Sequence, residues 1–182
     1  MLFNSFGYAV FLPVIFLLYW AFPGKWRWAL LLAASYFFYA SWGAAYIPVL
    51  LLTTAVSYFA ALYIEALQRP TRRKADGRRT RHAAAGKTVL ILSVVLCAAL
   101  LFFFKYLNFF SENMAALLQR FSIPVQPLTL RLALPIGISF YLFQTISYLV
   151  DVYRGKIPAE RHFGIYAVYI SFFPKVMQGP IE

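Results

Sequence analysis

VLILSVVLCAALLFFFKYLNFF, residues 89–110, carries one charge, Lys105, in twenty-two positions. The hydrocarbon core of a bilayer is about 30 Å thick, and roughly 20 consecutive apolar residues of helix cross it. A run of this length and composition reads as a membrane-spanning helix. Upstream of it lies RPTRRKADGRRTRHAAAGK, residues 69–87, which holds eight of the seventeen basic residues, one acid and no aromatic. An apolar run bordered by a dense basic block is the arrangement that the positive-inside rule produces at the cytoplasmic face of a membrane. Attraction to anionic lipid headgroups is a secondary role open to such a block.

The whole chain agrees with this reading. It is 62% hydrophobic, 20% aromatic and 13% charged over 182 residues, against about 45–50% apolar and about 25% charged in soluble domains. The surplus apolar surface has to face lipid. A net charge of +11 would suggest a nucleic-acid partner in a soluble protein. Here the basic residues sit in residues 69–87 and at the ends of apolar runs, with no recognition motif or stacking platform, so nucleic acid is excluded as a partner. The lone cysteine, Cys97, allows no intrachain disulfide. Residues Met1 to Gly7 have no basic n-region, so the first apolar run is expected to stay as a span rather than be cleaved.

Four more runs read as spans: about Phe6–Phe22, interrupted by Pro13; Trp26–Trp42, with tryptophan at both ends; Tyr46–Leu67; and Leu132–Val152. A sixth stretch, Phe163–Met177, is short and contains Pro174 and Lys175. It reads equally as a crossing or as a re-entrant, broken helix enclosed by the others. The fold class is therefore all-α, a polytopic transmembrane bundle of about five spans plus a short sixth segment, with residues 1–182 forming part of a single domain. Lys25 and Arg27, the 69–87 block, and Arg154, Lys156 and Arg161 supply thirteen basic residues on one set of loops, whereas the alternate loops hold only Arg120 and Arg131. This asymmetry places residues 69–87 in the cytoplasm as a solvated, flexible loop and the N-terminus outside. Residues 111–131 become an external segment, with a short amphipathic helix over Glu112–Phe121 lying against the membrane before a Pro124/Pro127 turn. No internal repeat is visible.

Polar residues at membrane depth are costly, so each poses a functional question. In the fifth run Gly137, Tyr141, Gln144, Tyr148 and Asp151 are spaced by four, three, four and three positions, which stacks them on one helix face. Such a stripe either lines a polar tunnel or lets helices pack closely while Gln and Tyr hydrogen-bond across. Lys105 lies near one end of the fourth run, where its stem reaches the interface by snorkelling or its amine finds an internal partner. Lys175, beside Pro174, is positioned to face a water-filled break. Histidine is the usual general base near neutral pH, but His82 and His162 both fall in charged segments. No Ser-His-Asp set, metal-ligand spacing or glycine-rich phosphate loop is present. The residues by themselves show no active site.

Leu134 to Glu182 changes that position. Pro135-Ile136-Gly137-Ile138-Ser139-Phe140-Tyr141, then Phe143-Gln144, Ser147-Tyr148, Asp151-Val152-Tyr153-Arg154-Gly155, Phe173-Pro174 and Gly179-Pro180-Ile181 together resemble the membrane-bound O-acyltransferase family, in particular its alginate O-acetyltransferase type. The opening MLFNSFGYAVFLPVIFLLYW, the run Ser35-Tyr36-Phe37-Phe38-Tyr39, and Phe104-Lys105-Tyr106 with Asn108-Phe109 agree. The related D-alanyl transferases of teichoic acid are similar in architecture, and are expected to read differently at Phe143-Gln144 and Asp151–Gly155.

The resemblance implies an enzyme of the bacterial inner membrane that moves an acyl group, usually acetyl, onto hydroxyls of an exported or cell-surface polysaccharide such as alginate. Its partners would be membrane lipid, an acyl donor, the polysaccharide acceptor and other polysaccharide-modification proteins. It calls for no bound cofactor or metal and leaves the donor unidentified. In the family the catalytic histidine lies in a central tunnel, well after the Gly-Pro-Ile marker. Neither His82 nor His162 matches it, so residues 1–182 are expected to be the N-terminal portion of a member, without a catalytic residue and inactive alone. The residues expected to line a substrate path are Tyr141, Gln144, Tyr148, Asp151, Arg154, Pro174, Lys175 and Gln178. Two readings of other classes compete. One is a non-catalytic membrane scaffold or partner-binding module; the other is a transporter or channel, and a channel would show matching polar segments in two related halves, which the sequence does not.

Overall fold

A computed structural model describes residues 6–68, 78–120 and 137–175. Among the described residues lie six helices: α1 (Phe6–Ala21), α2 (Arg27–Gly43), α3 (Ile47–Gln68), α4 (Arg78–Arg120), α5 (Ile138–Tyr153) and α6 (Phe163–Ser171), with single 3-10 turns at Gly24–Trp26 and Ala44–Tyr46. No strand occurs among the described residues. The first three helices fall within one or two residues of the apolar runs that announce them. Gly24–Gln68 and Ala85–Leu107 each contain a window long and apolar enough to cross a membrane.

α3 is the central post, packed against α4, α5 and α6, while α2 packs chiefly on α6 and also carries α1. The sequence explains the role of α3. Its inward residues include Leu50, Thr53, Thr54, Ser57, Ala61 and Ile64, small or branched side chains at three- and four-residue spacings that let neighbours approach. The hydroxyls add no unpaired polar group: Thr53 donates to the Val49 carbonyl at 2.8 Å, Thr54 to Leu50 at 2.8 Å and Ser57 to Thr53 at 2.7 Å. α1, by contrast, buries no residue, and its Phe16 and Trp20 are largely exposed. Outward aromatic surface on this scale is what lipid solvates.

Two expectations need correction. Residues 78–87 are not a flexible loop, and the helix expected over 112–121 is, as far as residue 120, not a separate one: both 78–87 and 111–120 belong to α4, which runs unbroken for 43 residues. At 1.5 Å per residue that is about 65 Å, roughly twice the apolar thickness of a bilayer. The cause is local. Ala83-Ala84-Ala85, Ala115-Ala116-Leu117-Leu118 and the arginines are strong helix formers, and no proline interrupts them. Among its described residues, Phe163–Met177, open between a crossing and a broken helix, is helical only in its first part. α6 ends at Ser171 after nine residues, about 14 Å, because a proline at 174 removes an amide from the helix ladder and clashes one turn back. The start of the fifth run, 132–136, and the Pro124/Pro127 turn lie outside the described residues.

Gly137 opens α5 at φ 73° and Gly155 closes its last turn at φ 69°. Both are left-handed conformations that glycine adopts at least cost.

Candidate functional site

α5 presents the stripe inward. Tyr141, Gln144 and Tyr148 are 0%, 5% and 8% exposed, so the periodicity identified a genuine interior face. The three differ in what they do there. Gln144 Nε2 donates to the Tyr169 carbonyl at 3.0 Å. That carbonyl lies in the last turn of α6, where helix carbonyls have no intrahelical partner, so the glutamine completes the end of a short helix. Tyr148 Oη accepts the Glu160 amide at 2.8 Å and holds the segment leading into α6. Tyr141 Oη is buried and has no hydrogen-bond partner.

Asp151 sits at the edge of the stripe, paired with Lys156 at 3.2 Å, an ion pair exposed enough to contribute about 0–1 kcal/mol. Arg154 and Pro174 are exposed. Lys175 Nζ lies 5.7 Å from the Tyr169 ring centroid, and that ring leans on Tyr148 and Tyr166. Gln144, Tyr148, Tyr166, Tyr169 and Lys175 thus form one polar-aromatic seam between α5, α6 and the turn after it. Gln178 lies outside the described residues.

Several members of this interior are not evident in the sequence. Tyr166 donates its hydroxyl to Ser57 Oγ at 2.7 Å, joining α6 to α3. Tyr58 donates to the Arg161 carbonyl. Ser35 Oγ accepts the Phe173 amide at 3.2 Å and ties the turn after α6 to α2. Tyr36 and Tyr39, on one face of α2, bury their hydroxyls without a partner. The only signal for these was the Ser35-Tyr36-Phe37-Phe38-Tyr39 run itself, where three hydroxyl residues interrupt an apolar span.

His162 is exposed, as its charged setting suggested, but it has a structural task. Its Nδ1 accepts the Ile165 amide at 3.2 Å and caps α6, its own amide donates to Glu160 at 2.9 Å, and its ring meets Trp28 edge-on with centroids 4.7 Å apart. Lys105 is exposed on α4, with its amine 5.5 Å from the centroid of the Tyr106 ring, in keeping with an interfacial side chain.

The ends of the helices explain the charge pattern. Arg161 pairs with Glu65 at 3.4 Å, Gln68 donates to the Tyr153 carbonyl, Gly86 lies against the Tyr153 ring, and Trp28 meets His162. Three basic segments that are far apart in sequence therefore gather at one end of the bundle: the turn before α2, the flanks of the 69–87 block, and 154–161.

An all-helical bundle with apolar outer faces, an internal hydroxyl-rich seam and basic residues gathered at one end defines an integral membrane protein with a polar interior. Its relatives make this specific. Over 172 residues, 94% of this chain, it is 37% identical to the probable alginate O-acetylase AlgI of Azotobacter vinelandii. It is 38% identical over 173 residues to the protein of that name in Pseudomonas aeruginosa, and 33% identical over 204 aligned positions to the peptidoglycan O-acetyltransferase of Helicobacter pylori. The chain spans 32%, 31% and 34% of the lengths of these relatives. No family model and no solved structure matches it. The resemblance to membrane-bound O-acyltransferases of the alginate O-acetylase type is thereby shown along nearly the whole chain.

Proposed function

We propose that this chain is part of a bacterial inner-membrane enzyme that transfers an acetyl group to hydroxyls of an exported polysaccharide. The observation that carries the reading is the 37% identity over 94% of the chain to a probable alginate O-acetylase. In this reading α1 to α5 are five spans, the N-terminus lies outside, and the end bearing Arg161, Glu65 and Lys156 faces the cytoplasm, where an acyl donor would be received. The seam of Gln144, Tyr148, Tyr169 and Lys175 flanks the substrate path.

Acyl transfer to a hydroxyl needs a base to take its proton. His162 is unsuited, because its Nδ1 is engaged by the α6 cap and its ring sits at the end of the bundle. His82 lies in the basic stretch that opens α4. The described residues therefore hold and line the path, and the histidine implied by the resemblance is neither of these. The peptidoglycan O-acetyltransferase among the relatives supports a second acceptor, the glycan strands of the wall. Deleting the gene and measuring ester-linked acetate on exported polysaccharide and on purified peptidoglycan tests both. We expect acetate to fall in the exported polysaccharide and return on complementation. Loss from peptidoglycan alone would move the acceptor there, and unchanged acetate in both would overturn the function.

A further inference from the structure

The turn that joins α1 to α2 holds two cations that no described acid neutralises. Arg27 Nε donates to the Phe22 carbonyl at 3.2 Å, and its guanidinium lies 4.8 Å from the centroid of the Tyr19 ring and 5.6 Å from that of Trp20. Both rings belong to the last turn of α1. One of the five donors on the guanidinium is thus engaged by the backbone. Among the described residues, neither Arg27 nor the exposed Lys25 forms an ion pair. Arg161 and Lys156, at the same end of the bundle, differ: they pair with Glu65 and Asp151. The neighbouring chain offers no such partner, since residues 1–64 contain no acid. The turn also borders lipid-facing surface. Trp20 and Trp26 are 64% and 61% exposed, and Phe16, one turn further into α1, is 60% exposed.

We propose that Arg27 and Lys25 bind the phosphate of an anionic phospholipid whose acyl chains lie along the outer face of α1. The site needs the chain to sit in a membrane and does not depend on acyl transfer. Its surroundings select the ligand. A guanidinium meets a phosphodiester through two parallel charge-assisted hydrogen bonds, and its weak hydration suits it to the interface. The contacts with Phe22, Tyr19 and Trp20 fix the group beforehand, so less freedom is lost on binding. A free phosphate ester would meet the cations and leave the tryptophans and the flank of α1 uncovered. An anion that carries hydrocarbon covers both, with the tryptophans at headgroup level, where such rings gather. A zwitterionic lipid balances its phosphate with its own ammonium. A headgroup of net negative charge instead complements two cations that lack a carboxylate.

The test uses the natural full-length protein in phosphatidylcholine nanodiscs doped with phosphatidylglycerol that carries a diazirine near the start of one acyl chain. After irradiation, the adducts are mapped to peptides by mass spectrometry. Wild-type protein should give saturable adducts on the peptide covering residues 16–28, displaced by unlabelled phosphatidylglycerol and not by further phosphatidylcholine. Arg27→Gln should raise the half-saturating mole fraction about tenfold, the usual range for a lost hydrogen bond to a charged group. Lys25→Gln should raise it about fivefold, as for one basic residue near an anionic surface. Arg27→Lys keeps the charge and loses the planar fork, so it should fall between wild type and Arg27→Gln. Adducts on residues 69–87 should not change in any variant, which makes them the internal control. If Arg27→Gln does not fold, Lys25→Gln and Arg27→Lys decide the matter. Equal competition by the two lipids, or adducts on 16–28 that are the same in wild type and variants, overturns the site. So does the absence of any adduct there, which would show that another protein segment covers the turn.

Discussion

α3 and α4 stand side by side and both lie in stretches apolar enough to cross a membrane, yet they divide their surfaces between protein and lipid differently. The most apolar window within Gly24–Gln68 is 39% buried, and that of Ala85–Leu107 only 11%. α3 turns Thr53, Thr54 and Ser57 inward and meets four helices. α4 turns Ile91, Leu92 and Val95 outward and buries Gly86, Ser93 and Cys97, small residues spaced by seven and four positions. Within a membrane, then, hydrophobicity does not mark the inside. Lipid is as apolar as leucine, so small and hydroxyl-bearing residues identify the faces that touch protein.

The sharpest way to break this comparison is topological, because accessibility is all or none. Cysteines placed at Lys25 and Lys156, both exposed and beside the gathered helix ends, should be labelled from the same, cytoplasmic side. A cysteine at Glu112, near the far end of α4, should be labelled from outside. Cys97 is buried and should stay silent. Labelling of Lys25→Cys in intact cells by an impermeant reagent would invert the assignment.

The next effect separates the two faces by stability. A methyl group on Gly164 would lie 2.2 Å from the Trp28 ring, where α6 crosses α2. Gly164→Ala should cost about 1–3 kcal/mol through overpacking, read as loss of monodisperse protein on heating in detergent. Leu92→Ala, at a position 63% exposed on α4, should stay within about 0.5 kcal/mol. Equal losses would mean that both positions touch protein.

Gln144 tests whether the inward face does more than pack. Gln144→Leu leaves the Tyr169 carbonyl without its partner, a loss of about 0.6 kcal/mol and at most about 1.7 kcal/mol for membrane helices. Protein should remain in the membrane. Acetyl transfer per folded molecule should fall, because the end of α6 positions Tyr169 and Lys175 together. Unchanged specific activity with a lower folded yield would leave Gln144 a strut only.

Much of the helical layout was legible because apolar runs bounded by Trp, Pro and charge are strong signals. The α5 stripe was legible because a glycine and four polar residues repeat at helical spacing in an apolar background. What the sequence hid has two physical sources. The length of α4 escaped because basic residues both favour helix and look like a solvated loop; charge reports solvent contact, not backbone conformation. The partners within this interior escaped because each lies far away in the chain: Gln144 meets a backbone carbonyl of α6, and Tyr166 meets Ser57 of α3. Residue type cannot announce a carbonyl, and a tyrosine in an apolar run looks the same whether it faces lipid, as the half-exposed Tyr63 on α3 does, or a buried partner.

The smallest effect, and the one most specific to the inward face of α3, is the coupling of Ser57 to Tyr166. Tyr166 donates to Ser57 Oγ at 2.7 Å, and Ser57 spends its own proton on the Thr53 carbonyl at 2.7 Å. The two substitutions are therefore unequal. Ser57→Ala removes the acceptor and leaves a phenol that is 1% exposed without a partner, which is the costly half of a broken hydrogen bond. Tyr166→Phe removes the donor, while Ser57 keeps its bond to its own helix. Ser57→Ala should thus destabilise more than Tyr166→Phe, and the double variant should resemble Tyr166→Phe alone, giving a coupling of about 0.6 kcal/mol in a thermal or denaturant titration. Additive losses would show that the two residues act on separate neighbours, and α6 would then be held to α3 by ring packing among Tyr58, Tyr148 and Tyr166 rather than by this relay.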